Sequence, residues 1–469
     1  MKNIYRCFGL LILLSSLTAC SLPENSESLP IVFPTMRVLF PSRTPVNANS
    51  AGGPTFTPTP SPTMTPWPLP FFGTPGYTPS TPIPTPFTPL GSPNDINILL
   101  IGSDRRTSAS FRTDVLIIVN IQPDHDLVTM ISIPRDLYVY IPGWQMQRIN
   151  TAYQHGESSA FPGSGIDLLK GTILYNLGIK IDHTALVDFD GFREIVDTLG
   201  GIDIPLACPY TDWHVIDPDK DLEDEDNWKL YTVGPGVTHM DGDLALWYAR
   251  SRQRSNDFDR GRRQQEVLRA IYSQAVTLNI IKHIPELFTE LRDAVTTDIG
   301  LNDLISLGKI SSNLGSARIR SYYINTDVVQ GWTTATGASV LIPDGPALRA
   351  LIQEALSPPD QVEQTHLAIV VEVWNGTYHG SWDVLAADRL HYGGFETIIQ
   401  PADNRDYHVT LLYDFTKEQD KDQSTALLEL LGLPPSSLVS SPDPDSDVSY
   451  RLIVARDYQV CFDPSKIER

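Results

Sequence analysis

Proline is concentrated in one part of the chain, and this distribution excludes a single folded body from end to end. Nineteen of the 38 prolines lie between positions 23 and 93 of the 469-residue sequence. Within that region, residues 44–94 contain no Asp, Glu, Lys or Arg and consist largely of Thr-Pro and Ser-Pro steps. Such a segment cannot bury a core and favours extended, polyproline-like conformations. We therefore predict a disordered Pro/Thr-rich linker over residues 21–94, with folded domains only after it.

The first twenty residues have the pattern of an export signal. Lys2 and Arg6 precede an apolar run over residues 8–17, and small residues then lead to Cys20. The run is shorter than the about 20 residues that a membrane-spanning helix requires. The pattern is similar to a bacterial lipoprotein signal over residues 1–20, with cleavage before Cys20 and a lipid on its sulfur. An ordinary signal peptide or a short uncleaved anchor is the alternative, and in every case the rest of the chain is exported.

The residues after position 94 have the pattern of a folded α/β domain. Continuous apolar runs, typical of strands covered on both faces, occur at residues 97–102, 115–119 and 127–133. Apolar periodicity and glycine stops predict helices over residues 165–177, 189–199 and 262–277. We therefore predict a first domain over residues 95–345, in which helices flank both faces of a sheet.

A smaller α/β unit is predicted after Pro358 and Pro359. Its predicted strands are residues 366–373, 395–399, 408–415 and 450–455, and its predicted helices are 382–390 and 425–431. These elements define a second domain over residues 365–462. The cysteines outside the signal are Cys208 and Cys461, and an exported compartment permits a disulfide between them. Two separate buried thiols are the alternative.

One segment reverses the charge of an acidic chain. The formal net charge is −21, which repels nucleic acid and excludes a general nucleic-acid-binding protein. Residues 250–263 nevertheless contain six arginines in fourteen positions. Arginine presents a planar fork that binds phosphate oxygens in pairs, so this cluster predicts a phosphate site. A solvated basic face, or arginines paired with nearby carboxylates, is the alternative.

Two aspartates flank the loop between the first two predicted strands. Asp104 follows the first strand, and Asp114 precedes the second. If the loop folds back, the two carboxylates can meet at one edge of the sheet and supply oxygen ligands for Mg²⁺. Capping of the loop by Asp is the alternative. Arg135 and Asp136 follow the third strand and are predicted at the same edge.

Seven motifs, in order and spacing, resemble the LytR-CpsA-Psr family over roughly residues 95–280. They are residues 97–104, 112–114, 132–136, 148–153, 187–203, 242–252 and 257–265. Residues 366–456 are more loosely similar to the small LytR-type C-terminal domain of some members. The resemblance implies a mixed central sheet and a phosphotransferase that moves a glycopolymer from a polyisoprenyl-pyrophosphate carrier to peptidoglycan. It would act at the extracytoplasmic face of the cell membrane, held there by its lipid anchor.

The resemblance also implies roles for particular residues of this chain. Asp104 and Asp114 would hold Mg²⁺ against the pyrophosphate. The residues that would bind its oxygens or support those that do are Arg135, Arg250, Arg252, Asp257, Arg260, Arg263 and Gln264, with Arg112 and Arg148 as further substrate contacts. Arg254 and Arg262 lie outside the matched positions, and we expect them to be solvated. A non-catalytic module that binds polyprenyl phosphate or wall glycan is the alternative, as is a hydrolase of the same carrier.

Overall fold

The structure, a computed structural model, describes residues 85–103, 113–158, 161–215, 224–252, 254–311, 314–416 and 421–467. The predicted lipoprotein signal with Cys20 lies outside these residues, as does the predicted linker up to residue 84. Asp104 and Arg112 also lie outside them.

The described elements fall into two groups along the chain. The strands of the first group are β1 Ile96–Ser103, β2 Thr113–Gln122, β3 Leu127–Ile133, β4 Tyr138–Tyr140, β5 Met146–Arg148, β6 His183–Val187, β7 Ile202–Leu206, β8 Tyr210–Val215, β9 Trp228–Val233, β10 Gly236–Met240, β11 Val295–Thr297, β12 Ile319–Tyr323, β13 Val329–Thr333 and β14 Ser339–Pro343. Its helices are α1 Thr151–Ser158, α2 Gly165–Leu177, α3 Phe189–Thr198, α4 Gly242–Arg250, α5 Asp257–Thr277, α6 Ile284–Glu290, α7 Leu301–Ser311 and α8 Gly345–Ala355. The second group consists of helices α9 Gln361–Ala368, α10 Trp382–Tyr392 and α11 Lys421–Leu431, with strands β15 Val370–Asn375, β16 Glu396–Gln400, β17 Leu411–Asp414, β18 Leu438–Ser440 and β19 Tyr450–Val454.

A six-stranded sheet in the order β11-β6-β1-β2-β3-β12 forms the centre of the first group. Strand β2 is antiparallel to β1 and β3, whereas β6 and β12 run parallel to β1 and β3 respectively. The prediction of a mixed sheet is therefore confirmed, and its three central strands contain the three apolar runs. At the end of β1 the register shifts after Gly102. A Cβ on Gly102 would lie 2.9 Å from that of Val115, so only glycine fits this approach of the two strands.

Helices cover both faces of this sheet, as predicted. Leu116 and Ile118 of β2 belong to the main core, which also contains residues of α2 and α8. Ile117 points to the opposite face, where Leu268 and Tyr272 of α5 pack against its cluster. Side chains on both faces of β2 are thus removed from water, which explains its continuous apolar run.

The second group is built on a five-stranded sheet in the order β16-β15-β19-β17-β18. Its core includes Val371, Leu390 and Leu427, from β15, α10 and α11. The prediction of a strand from residue 366 is wrong for residues 366–368, which belong to α9. Reciprocal hydrogen bonds between Asp360 and Glu363 form a capping box at the start of α9, and this local signal fixes a helix there.

Helix α10 joins the two groups, because it contacts β7, β10 and β12 as well as its own sheet. Arg269 of α5 lies over the ring of Tyr392, with its Cζ 4.4 Å from the ring centroid, and donates to the Ile319 carbonyl at 2.9 Å. A disulfide links Cys208, after β7, to Cys461, which lies 253 positions later. The bonded alternative for these two cysteines is confirmed.

Candidate active site

A cleft opens where the end of β3, the start of β2 and the first turns of α5 meet. Its polar lining includes Asp114, Arg135, Asp257, Arg260 and Gln264. The structure therefore brings together five residues that the sequence assigned to one site. Their segments are far apart in the chain and meet because β2 and β3 are neighbours while α5 packs across them.

Arg135 lies in the middle of three carboxylates. Its Nη1 donates to Asp114 Oδ1 at 2.9 Å, its Nε lies 3.5 Å from Asp136 Oδ2, and its Nη2 lies 3.9 Å from Asp257 Oδ2. Burial alone would lower the pKa of Arg135. The hydrogen bond to Asp114 and the charges of Asp114, Asp257 and Asp136 outweigh that effect and raise the pKa above its usual value.

Asp257, in the first turn of α5, holds two further arginines. Its Oδ1 lies 3.1 Å from Arg260 Nη1 and 3.4 Å from Arg252 Nη1. Burial lowers the pKa of Arg260, the positive charges of Arg135 and Arg252 lower it further, and the charge of Asp257 opposes the shift. Three guanidinium groups are thus held around one carboxylate, an arrangement in which an added anion would be stabilised.

Arg263 has a different position from the other predicted arginines. Its side chain is fully buried and donates to the carbonyl oxygens of Tyr248 and Ser251 and to Ser255 Oγ. Its guanidinium also stacks on the ring of Tyr210, 4.2 Å from the centroid. These contacts fix the loop that carries Arg252, so Arg263 positions another residue and does not line the cleft.

Arg250 and Arg148 lie at the margins of this arrangement. Arg250 ends α4, and its guanidinium lies 3.7 Å from the ring centroid of Phe189, outside the lining of the cleft. Arg148 ends β5, and its Nη1 lies 3.2 Å from Asp136 Oδ1. Arg148 is thus linked to Arg135 through the carboxylate of Asp136.

Arg262 and Arg254 were expected to face solvent, and the structure corrects the first of these predictions. Arg262 pairs with Asp259 and Glu266 on its own helix, and only 21% of its side chain is exposed. The i,i+3 and i,i+4 spacing of these partners was visible in the sequence. Arg254 lies in the exposed turn before α5.

Gln265 supports the site, although its membership of the last motif predicts no particular role for it. It is fully buried, and its Nε2 donates to Ser132 Oγ at 2.8 Å and to the Tyr322 carbonyl at 3.0 Å. These bonds attach α5 to the ends of β3 and β12. Its neighbour Gln264 lines the cleft and donates to the Ala249 carbonyl at 3.2 Å.

The floor of the cleft is apolar. Its apolar lining consists of Val115, Leu116, Ile133, Phe258 and Ile324. The sequence does not identify these residues, because apolar strand residues give no sign of which ones border a cleft. The cleft is therefore bordered by both charged and apolar side chains.

Carboxylates suit the magnesium ion that the sequence predicts, but only Asp114 of the predicted pair is described. Its side chain is 28% exposed and lines the cleft beside Arg135. Among the residues that the structure describes, no group of three or more His, Cys, Asp or Glu could hold a metal ion.

The model of the LytR_cpsA_psr family matches residues 84–356, more than half of the chain. The chain belongs to the LytR_cpsA_psr family. The match covers the central sheet and every described residue of the cleft. The resemblance drawn from the seven motifs is thereby confirmed.

Two named relatives share this family region. The chain is 31% identical over 214 residues to the polyisoprenyl-teichoic acid–peptidoglycan teichoic acid transferase TagU of Oceanobacillus iheyensis, across 45% of this chain and 61% of that protein. It is 30% identical over 234 residues to the regulatory protein MsrR of Staphylococcus aureus, across 50% of this chain and 65% of that protein. The chain thus spans less than two thirds of the length of either relative.

Solved structures include similar chains. The crystal structure of TagV from B. subtilis is 28% identical and covers 57% of this chain and 98% of its own, with a TM-score of 0.46. In the described part of this LytR_cpsA_psr protein, no helix is long and apolar enough to span a membrane.

Proposed function

We propose that this protein is an exported phosphotransferase that moves a glycopolymer from a polyisoprenyl-pyrophosphate carrier to peptidoglycan. The observation that carries the proposal is the convergence of Arg135, Arg252 and Arg260 around Asp257, a residue that lines the cleft. A pyrophosphate presents several anionic oxygens close together, which arginine forks bind in pairs. Family membership and the transferase name of the Oceanobacillus relative support the same choice of substrates.

The proposed reaction is a phosphoryl transfer. A muramic acid hydroxyl attacks the phosphorus that carries the sugar, a new P–O bond forms, and the P–O bond to the lipid phosphate breaks. Polyisoprenyl phosphate leaves with the electron pair of that bond, and the proton of the hydroxyl passes to solvent. Negative charge builds on the transferring and leaving phosphates, where fixed cations lower the barrier. Asp114 and Asp257 hold the arginines in place before the substrate binds.

The lipid part of the carrier also has a match in the cleft. Val115 and Phe258, which line the cleft with the arginines, are apolar and only partly buried. Burying isoprenoid surface against them is favourable by about 25 cal/mol per Å². The first isoprene units would therefore lie against this floor while the pyrophosphate meets the guanidinium groups.

We also propose that Asp114, together with Asp104, holds Mg²⁺. Magnesium usually takes one or two protein carboxylates with waters and substrate phosphates, so a site of three protein ligands is not required. Asp114 fits this pattern, because its part-exposed carboxylate lies at the cleft. The ion would neutralise charge on the pyrophosphate.

The proposed location is the outer face of the cell membrane, with a lipid on Cys20. Residues 44–94 reach about 150 Å if fully extended at about 3 Å per residue. A linker of that length would let the cleft reach carrier molecules in the membrane and also the peptidoglycan beyond it.

A transfer assay with a defined lipid-linked saccharide, peptidoglycan and Mg²⁺ tests the proposal. We expect Arg252→Ala to lower kcat/KM by about a hundredfold or more, as loss of a transition-state donor does elsewhere. Arg254→Ala is the matched control, since Arg254 lies two positions away in the exposed turn.

Equal turnover of wild type and Arg252→Ala would contradict the assignment of the arginines. Carrier cleavage without coupled product would identify a hydrolase, and binding without cleavage a non-catalytic module.

A further inference from the structure

Four aromatic rings form a row on one surface beside the cleft. Tyr138 and Tyr140 are two positions apart on β4, so they project from the same face, while Val139 between them is turned into the core. The ring of Trp332, on β13, lies 6.0 Å from that of Tyr138, and the ring of Tyr175, on α2, lies 5.2 Å from that of Tyr140. All four side chains are partly exposed. We call Trp332, Tyr138, Tyr140 and Tyr175 the aromatic row.

The aromatic row begins at the edge of the cleft. Tyr138 pairs across the β4–β5 hairpin with Arg148, so their side chains share one face. Arg148 contacts Asp136, and Asp136 lies 3.5 Å from Arg135. The amide of Leu341 donates to the Asp136 carbonyl at 2.9 Å, which fastens the β13–β14 hairpin with Trp332 at the same place. The row is thus continuous with the arginines of the cleft.

We propose that the aromatic row binds the pyranose chain of the acceptor glycan and presents one of its hydroxyls to the cleft. A pyranose ring has faces of C–H groups and a rim of hydroxyls. Partly exposed tyrosine and tryptophan rings match it, because each offers an apolar face together with a polar group at its edge. The inference rests on the proposed function, since it names the surface that this reaction's acceptor would use.

Charge favours the acceptor over the donor as the occupant. Burial raises the pKa of Tyr138 and of Tyr175, so both rings stay neutral. A neutral row suits uncharged pyranose rings and offers no partner to the pyrophosphate of the donor, which the arginines of the cleft would bind instead. The donor already gains affinity from the arginines, whereas an acceptor hydroxyl brings no anchoring charge of its own.

Binding of a soluble tetrasaccharide of alternating N-acetylglucosamine and N-acetylmuramic acid, with its lactyl carboxyl groups blocked as amides so that the probe is uncharged, tests this proposal. For each variant, calorimetry with the full chain gives the affinity for the tetrasaccharide, and the transfer assay gives the KM for the acceptor and the KM for the donor. We expect Trp332→Ala and Tyr138→Ala each to weaken tetrasaccharide binding about tenfold and to raise the acceptor KM similarly, as loss of one aromatic contact would. The donor KM should be unchanged, and Tyr138→Phe should retain most of the affinity.

Trp213→Ala is the matched control, because Trp213 is 39% exposed on the separate β8–β9 hairpin. It should bind the tetrasaccharide as the wild type does. The proposal is overturned if the wild type does not bind the probe, if Trp332→Ala binds it equally well, or if only the donor KM rises. If the protein binds the tetrasaccharide through Trp332 but transfers no glycopolymer, the proposed function is wrong and the proposal for the aromatic row is supported.

Discussion

Asp257 separates guanidinium groups that would otherwise repel one another. Arg260 is the most buried of the three, with 10% of its side chain exposed, and Arg135 and Arg252 both lower its pKa through their charge. Asp257 contacts all three arginines within 4.0 Å. Without this carboxylate the cleft would hold an excess of positive charge, which a bound pyrophosphate could neutralise in its place.

We expect Asp257→Asn to lower the free energy of unfolding by about 2 kcal/mol, because it leaves buried charge without its partner. Inorganic pyrophosphate should then raise the melting temperature of the variant more than that of the wild type, since it binds the folded state and replaces the lost charge. Asp190→Asn is the control, with its side chain 96% exposed, and it should behave as the wild type in both measurements. An equal or smaller pyrophosphate effect in Asp257→Asn would contradict this account.

Helix α5 shows what a motif can and cannot predict. The sequence predicted a helix from residue 262, but the helix begins at Asp257, because Asn256 caps it by accepting from the Asp259 amide. Successive helical residues turn by about 100°, so Arg260 and Gln264 share a side that faces the cleft. Arg263 points away from that side. The motif predicts which residues belong to the site. The orientation of α5 about its own axis decides which of them face the cleft and which support it from behind, and the sequence does not reveal that orientation.

Helix α10 carries two titratable residues with opposite pKa shifts. Burial raises the pKa of Asp388 to about 7, with the charge of Arg269 opposing and that of Glu266 adding to the shift. Burial lowers the pKa of His391 to about 3, and Arg269 adds to that effect. The folded protein therefore keeps Asp388 protonated and His391 neutral over much of the acid range.

These shifts predict two opposing pH dependences. Asp388 binds a proton in the folded but not the unfolded state between about pH 4 and 7, so its contribution to stability falls as pH rises through that window. His391 does the reverse, and its contribution falls as pH drops from about 6.5 towards 3. In urea titrations we expect the stability of Asp388→Asn to rise with pH between about 4 and 6.5, and that of His391→Gln to fall. The wild type should vary less than either variant, and parallel profiles for all three proteins would refute the assignment.

Across the fold, the sequence predicted long apolar elements well and short polar ones poorly. Strands β1 to β3 were visible because both of their faces are buried. The β13–β14 hairpin was not predicted, because strand residues such as Gln330 and Thr333 are exposed and leave no apolar pattern. For the same reason the aromatic row could not be found from the sequence. Trp332 and Tyr138 meet only because the two hairpins that carry them are attached at Asp136.

The disulfide joins the two groups of elements, so we expect its loss to lower the stability of the folded protein. Cys208 and Cys461 are 253 positions apart, so their bond closes a loop that contains most of both groups of elements. Such a bond restricts the unfolded chain, and its loss typically costs about 2 to 5 kcal/mol. We expect Cys208→Ser and Cys461→Ser to lower the free energy of unfolding in urea equally, and the double variant to lower it no further. Reductant should destabilise the wild type to the same level without affecting the variants. Single variants as stable as the oxidised wild type would mean that packing of α10 alone joins the two groups.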